Sequence, residues 1–415
     1  MHLLFLTNFY PPATRGGYEL WCQEVADTLH GRGHTVTVLT SRHRREQLPE
    51  PDPAWVRRDL HLEMEFASLR NGLQFFTHRR SREQQNLAGL RQLVAQHRPD
   101  AVLVWGMWNL PRSLPALTEK LLPGRVAYYL GDYWPTLPSQ YHFYWQAPPR
   151  HWATALPKWI LERVARRALA RETVPPLQLK HVLLPSAFMA GELARLGINL
   201  PHAKIVPGAI KTGRYPFRNG RRKTTEDGAV FLLWVGRLVA DKGAHTALEA
   251  LAVLVNQYGL TNLRLTMVGS GEPDYEARLS QLVQEHQLEH YVTFLGAQPV
   301  ETLPTLYRQA DIFLFTSIWP EPFGRVVVEA MASGAAVVGA ATGGAAEMMQ
   351  PGHNALTFAP ADAGALAAHV VRLLQTPSLR TALAAAGRQT AVELYDIGRM
   401  AADIETCLQE VVNGS

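Results

Sequence analysis

A glutamate set inside an otherwise apolar run constrains this chain more than any other feature. Residues 319–334 read WPEPFGRVVVEAMASG, with Glu321 ahead of a Pro-Phe-Gly turn and Glu329 within the apolar run that follows. Pro322 ends the preceding element sharply. Gly324 removes a side chain where a helix begins, so a ligand can approach the backbone and its unpaired N–H groups. The run around Glu329 reads as a helix buried on most sides. A carboxylate there has to be paired or hydrogen-bonded, because burying it bare is costly. Two kinds of partner suit it. One is a vicinal diol such as a ribose, as at the acidic position of dinucleotide sites. The other is an arginine or a neighbouring turn of the chain itself.

A chain of 415 residues is too long for one core and implies two domains. Its two cysteines, Cys22 and Cys407, lie at opposite ends, which is no disulfide framework and fits a reducing cytosol. No His/Cys cluster has zinc spacing. The first residues, HLLFLTN, lack the charged segment of a signal peptide. No stretch reaches the ~20 apolar residues of a membrane span. The formal charge of +5 suits anionic small molecules or a membrane surface. The arginine runs at 42–45 and 79–82 are scattered, not the continuous basic stripe with aromatics that nucleic-acid binding needs.

The first forty residues form a β–loop–α–β unit: an apolar strand at 2–7, the loop NFYPPATRGGYE, a helix to about residue 30, and an alternating strand at 34–40. Gly16 and Gly17 stand where loop becomes helix, so their amides can face an anion or simply make a turn. Tyr10 and Arg15 would line the same mouth. Further strands are expected at 101–105 and 125–130, the second ending in Gly131, Asp132, Tyr133 and Trp134. Asp132, followed by Tyr133 and Trp134, either contacts a bound ligand or caps the loop that follows. A helix over 75–96 is also expected, and an aromatic loop over 135–157 that either packs on its own domain or helps to form a ligand pocket at the carboxyl edge of the sheet. Residues 158–171, KWILERVARRALAR, read as a helix that covers the sheet, with anionic membrane as the other reading of its arginines.

Residues 213–228 are rich in glycine and charge and read as an exposed connector. A buried strand at 230–235 then stops at Gly236, and Arg237 and Lys242 sit in the turn before a helix. Fixed cations aimed at one point can neutralise the two phosphates of a nucleotide sugar and the charge growing on a leaving diphosphate. Arg237 can fork onto phosphate oxygens, and Lys242 acts as a point charge. The competing reading is an Arg237–Asp241 pair holding the turn. Gly269 marks a further turn that admits a backbone close to a ligand, and a strand at 291–296 ends at Gly296. A last helix from about residue 391 carries Met400, Ile404, Leu408 and Val411 as an amphipathic stripe.

The spacing E-x-F-G-x-x-x-x-E-A-M-A-x-G, together with G-R-x-x-x-x-K-G at 236–243, resembles the donor-site signatures of the retaining glycosyltransferases of family 4, whose fold is GT-B. The resemblance spans most of the chain and is strongest over 230–356. It implies an α/β architecture of two Rossmann-like, doubly wound domains facing each other across a cleft. The expected division is 1–208 on the acceptor side, a linker at 209–228, a nucleotide-sugar domain at 229–390, and a terminal helix at 391–415 crossing back. By position, Glu329 would hold a ribose and Glu321 would lie near the transferred sugar. Phe323, Gly324, Arg325 and Val326 would face the sugar and diphosphate, which Arg237 and Lys242 would grip. Gly16 and Gly17 would face the phosphate from the other domain, and Gly269 and Gly296 would add backbone contacts, Gly296 at the nucleobase. The chain departs from the family at one place. Many members carry a histidine where this sequence has Gly131, so no catalytic histidine is assigned; Asp132 is the nearest candidate to contact a hydroxyl of the sugar or the acceptor, and Tyr133 and Trp134, with Tyr10 and Arg15, would lie on the acceptor side.

The function implied is transfer of a sugar, with retention, from a UDP- or GDP-sugar to a glycan, lipid-linked or small-molecule acceptor. No cofactor beyond the nucleotide sugar is expected. No metal is expected either, since no Asp-x-Asp pair occurs. A cytoplasmic location follows, free or peripheral on the inner face of a membrane. The competing readings are a non-catalytic nucleotide-sugar sensor or partner subunit, and an epimerase of the same fold, for which acid–base groups do not stand out.

Overall fold

The apolar runs near residues 2–7 and 230–235 become the first strands of two separate parallel sheets. This is seen in a computed structural model that describes residues 1–14, 16–48, 51–65, 68–149, 155–217 and 228–414. Arg15, Trp152 of the aromatic segment and residues 218–227 of the expected connector lie outside the described residues.

One compact unit comprises Met1–Pro185, Ala190–Val206 and Ala401–Ser415, and the other Ser186–Met189 and Pro207–Met400. The first holds β1 (His2–Leu6), α1 (Gly17–Gly31), β2 (Thr35–Ser41), β3 (Val56–Leu60), α2 (Leu69–Thr77), α3 (Arg79–His97), β4 (Ala101–Val104), α4 (Ser113–Leu121), β5 (Val126–Tyr129), α5 (Gln140–Gln146), α6 (Ala155–Ala170), β6 (His181–Leu184), most of α7 (Ala187–Arg195) and β7 (Lys204–Ile205). Its seven strands run in the order β3-β2-β1-β4-β5-β6-β7, and every pairing is parallel. The second holds β8 (Val230–Val235), α8 (Ala244–Ala252), β9 (Leu263–Val268), α9 (Pro273–Glu285), β10 (Val292–Phe294), α10 (Leu303–Gln309), β11 (Ile312–Phe315), α11 (Arg325–Ser333), β12 (Ala336–Ala340), α12 (Ala345–Met348), β13 (Ala355–Phe358), α13 (Ala363–Gln375) and α14 (Pro377–Leu394). Its order is β10-β9-β8-β11-β12-β13, again parallel throughout. Central strands such as β4 and β11 are apolar along their whole length because helices cover both faces of a parallel sheet.

Two helix boundaries differ from expectation. The helix expected over 75–96 is α2 and α3, divided at His78. The terminal helix, α15 (Ile397–Asn413), starts later than expected. Asp396 breaks the chain there, its carboxylate accepting from the Gly398 N–H at 2.8 Å and from the Thr212 hydroxyl, while the Ile397 N–H bonds to Ile210 O at 2.8 Å. The stripe Met400, Ile404, Leu408 and Val411 is fully buried. In the first unit, Glu405 of this helix accepts from Arg32 (2.7 Å) and sits 2.8 Å from His34. The aromatic segment is not loop throughout: Tyr141, Tyr144 and Trp145 lie on α5 and pack with Met64 and Phe75.

Candidate functional site

Strand order in the second sheet reverses between β8 and β11, the place where open α/β sheets bind ligands beyond the carboxyl ends of their strands. The loop after β8 carries Arg237 and Lys242, and the loop after β11 leads to Glu321. The two loops are laced together. Asp241 O accepts the N–H groups of Ile318 (2.8 Å) and Trp319 (3.1 Å), and the Thr316 hydroxyl donates to Lys242 O at 3.2 Å. Gly243 makes this possible, since its φ is +64° and a Cβ there would stand 2.0 Å from Thr316 O. The consequence is a half-buried ion pair, Lys242 Nζ to Glu321 Oε1 at 2.7 Å, with the ammonium 5.8 Å from the centre of the Trp319 ring. Arg237 lies in the same loop with its side chain exposed. From behind, the Gly344 N–H donates to Glu321 O at 2.7 Å.

Glu329 is 4% exposed, and both its oxygens are engaged. Arg325 Nε donates to Oε1 at 2.9 Å from one helical turn away, and the Tyr307 hydroxyl donates to Oε2 at 2.9 Å. Burial first, then the Glu329 charge, push the Tyr307 phenol well above its ordinary range, so it stays protonated as a donor. Of the two kinds of partner open to Glu329, the chain's own arginine is the one in place. Each carboxylate oxygen keeps a second lone pair, so a diol can still be accepted. Gly324, at φ +103°, opens α11, whose first amides lack intrahelical acceptors. Val326 sits half-buried in that first turn. Phe323 is buried with its ring edge-on to Tyr395 at 5.7 Å, which leaves only its backbone for a ligand.

The glycines that end β8, β9 and β10 form a bare backbone ledge. Gly269 N–H donates to Gly296 O at 2.9 Å. A Cβ at Gly269, where φ is +140°, would stand 1.7 Å from Gly236 O. The close approach expected at Gly269 is therefore, within the protein, an approach of one loop to the next. Gly296 has φ +66° and open space around it.

In the first unit, Gly16 and Gly17 stand at the start of α1, and the Gly16 N–H donates to Glu19 Oε2 at 3.0 Å. The expected anion seat thus already holds a carboxylate of the chain itself. Tyr10 corrects its assignment to the mouth of that loop. It is 2% exposed and packs edge-on against Trp55, because Arg58 draws the turn inward through Tyr10 O (3.1 Å) and Pro11 O (2.6 Å). Trp134 is also buried. It lines a cavity of about 570 Å³ together with Trp108, Arg112 and Glu63, while Tyr133 is half-buried beside it in sequence.

Gly131 has a structural cause. The Tyr18 hydroxyl donates to Tyr129 O and accepts the Gly131 N–H at 3.1 Å, and a Cβ at 131 would lie 2.4 Å from the Tyr18 ring. Tyr18 fills the volume that a side chain at 131 would need, so a histidine is excluded there. Asp132 takes the capping role, its Oδ1 accepting the Trp134 N–H at 3.3 Å. Burial pushes its carboxyl up to about 7 against that hydrogen bond, which acts in the other direction. A carboxyl raised in the folded state stabilises it fully below the ordinary value of 3.8, and that stabilisation is lost as pH climbs through about 7. Asp132→Asn should therefore be more stable than the parent at pH 8, by on the order of 2–4 kcal/mol. The two should converge by pH 4. Urea midpoints at both pH values test this, and a constant difference would remove the titration from Asp132.

Tyr307 and Tyr18 have no role in the sequence reading, and neither has Trp319, although it opens the stretch at 319–334 and could have been picked out. Tyr307 and Tyr18 sit far in sequence from the residues they serve.

Known proteins resemble this chain in both halves. A model described as glycosyltransferase family 4 matches residues 15–214, and one described as glycosyl transferases group 1 matches residues 217–390. The chain is 30% identical over 239 residues to a glycogen synthase of Mycobacterium tuberculosis, covering 57% of this chain and 56% of that protein. It is 28% identical over 208 residues to mannosylfructose-phosphate synthase of Agrobacterium fabrum, covering 48% and 46%. The matches thus span about half the length of these curated relatives. Among solved structures, HepE of Anabaena in complex with UDP superposes with a TM-score of 0.67 at 21% identity, covering 99% of this chain and all of that one. Sucrose-phosphate synthase from Thermosynechococcus elongatus gives 0.72 at 19% identity over the whole of both chains. At these identities the likeness bears on the fold.

Proposed function

Because the chain belongs to the group 1 glycosyltransferases of family 4, with a GT-B-type pair of parallel-sheet units, we propose that it moves a sugar from a nucleotide-diphosphate sugar to a hydroxyl acceptor with retention of configuration. The observation that carries this reading is the Lys242–Glu321 contact, which joins the two sequence motifs at the switch point of the second sheet. The diphosphate would displace Glu321 as the partner of Lys242 and draw on Arg237 as well. Glu321 would then be free to accept from a hydroxyl of the sugar. The bond from the anomeric carbon to the diphosphate oxygen breaks, and the bond to the acceptor oxygen forms on the same face. The acceptor proton passes to the departing diphosphate. Cations stabilise the charge that grows there, and no protein nucleophile is required.

The acceptor is a glycan, a lipid-linked compound or a small molecule, and the location is the cytoplasm or the inner face of a membrane. Thermal shift and nucleoside diphosphate release against a panel of UDP-, GDP-, ADP- and dTDP-sugars test the reading. UDP-sugars lead the panel because HepE was solved with UDP. A shift with release of the diphosphate is expected for one donor. A shift without release for any acceptor would favour a sensor or partner subunit, the reading that Gly131 at the place of the family histidine keeps open.

Transfer should persist in excess EDTA. The site carboxylates Glu321 and Glu329 are engaged by Lys242 and Arg325, and no Asp-x-Asp pair stands ready to clamp a divalent ion. Complete loss of turnover, restored by manganese, would overturn the metal-independent mechanism.

A further inference from the structure

Helix α6 has two apolar faces. One packs inward: Ala165 and Leu169 are buried and Leu161 partly so, against Phe75, Tyr141, Tyr144 and Trp145. Lys158 on this side is buried as well, its ammonium donating to Ala147 O at 2.7 Å and lying 4.3 Å from the Tyr144 ring. On the opposite side Leu156, Trp159, Ile160 and Val164 are 67%, 53%, 52% and 54% exposed. The helical period places them in one stripe, and Arg163 and Arg167 share it. Arg163 lies 4.2 Å over the Trp159 ring. Arg166 and Arg171 are exposed nearby, and Glu162 is the one acidic residue within the helix sequence.

A solvent-facing side of a helix ordinarily carries polar residues. Four large apolar side chains there call for a cover, and the arginines select its charge. We infer that this face of α6 docks the chain onto an anionic lipid bilayer. The apolar bodies enter the boundary between headgroups and acyl chains, while the guanidinium groups reach lipid phosphates. The helix lies on the bilayer rather than crossing it, as its 16 residues fall short of the ~20 that a span requires. The docking goes beyond sugar transfer and does not depend on it.

Co-sedimentation of the full chain with vesicles tests the assignment. Binding to phosphatidylcholine vesicles containing phosphatidylglycerol is expected, with little binding to phosphatidylcholine alone. Arg163→Gln with Arg167→Gln should weaken it about thirtyfold, because each cation near such a surface contributes comparably. Trp159→Ser with Ile160→Ser should abolish it. All four side chains are exposed, so the fold and any nucleoside diphosphate release in solution should be retained. Equal binding to neutral and anionic vesicles, or unimpaired binding by either double variant, would overturn the assignment. So would a parent protein that is dimeric in solution and becomes monomeric with the Trp159 and Ile160 substitutions, since the face would then be covered by a second copy. Vesicle binding without turnover of any nucleotide sugar would leave the docking in place and remove the proposed activity instead.

Discussion

Lys242→Ala should lower kcat by about 10²–10³-fold with the acceptor saturating, the loss seen when one preorganised stabiliser of developing charge is removed. The geometry gives the reason. Lys242 is held by its own carbonyl, which accepts from Thr316, and by a loop that only a glycine at 243 can close. Its backbone is therefore fixed before any donor arrives, and the ammonium, held meanwhile 2.7 Å from Glu321, has only to exchange that partner for the diphosphate. The stability cost should be small, about 1 kcal/mol or less, since the Glu321 pair is partly solvated. Lys242→Arg should recover part of the rate, because the charge returns but a planar fork replaces a compact point charge. Steady-state kcat and donor KM, read beside the melting temperature, separate these effects. A Lys242→Ala variant with full turnover would put the diphosphate elsewhere.

Glu329→Ala should be costly in two ways at once. It strips the partner from Arg325 and the acceptor from the buried Tyr307 hydroxyl, and breaking a buried pair of this kind costs about 3–5 kcal/mol. Loss of fold alone would hide the effect on the donor, so Glu329→Gln is the sharper variant. The amide oxygen can still accept from one neighbour, and the shape is kept. Donor KM should rise at least about tenfold, in line with a lost hydrogen bond to a charged group, with less change in kcat. The ribose role makes a more selective demand. A donor with a deoxygenated ribose should be discriminated against by the parent and much less by Glu329→Gln. Equal discrimination by both would leave Glu329 as the internal partner of Arg325 and Tyr307 alone.

The parts of the site that could be read in the sequence are the contiguous ones. A strand that ends in glycine and feeds a helix is a local arrangement, and its residues lie within one short segment. Gly236 with Arg237 and Lys242, and Pro322 with Gly324 and Glu329, are of this kind. The alternation of apolar strands with helical stretches likewise announced two parallel sheets, because a buried parallel strand has to be apolar on both faces. Sequence reasoning also recognised that Glu329 needed a partner, from the cost of a bare buried charge. It could not say which partner, since Tyr307 arrives on a different helix and enters only when α10 packs on α11.

Tertiary structure decided the rest. Lys242 and Glu321 meet because β8 and β11 are neighbours in the sheet, and that adjacency is a property of strand order rather than of either motif. Gly131 is a glycine because a tyrosine more than a hundred residues earlier fills its space. Tyr10, expected to line the mouth of its loop, is buried, because Arg58 on β3 binds the carbonyls of its turn. The sequence by itself determined the two sheets, the glycine turns and the charges placed in them, since backbone geometry and burial act over short spans. Which charges meet, and which space is already filled, was decided only when distant strands came together, because those contacts depend on register and packing that no short segment contains.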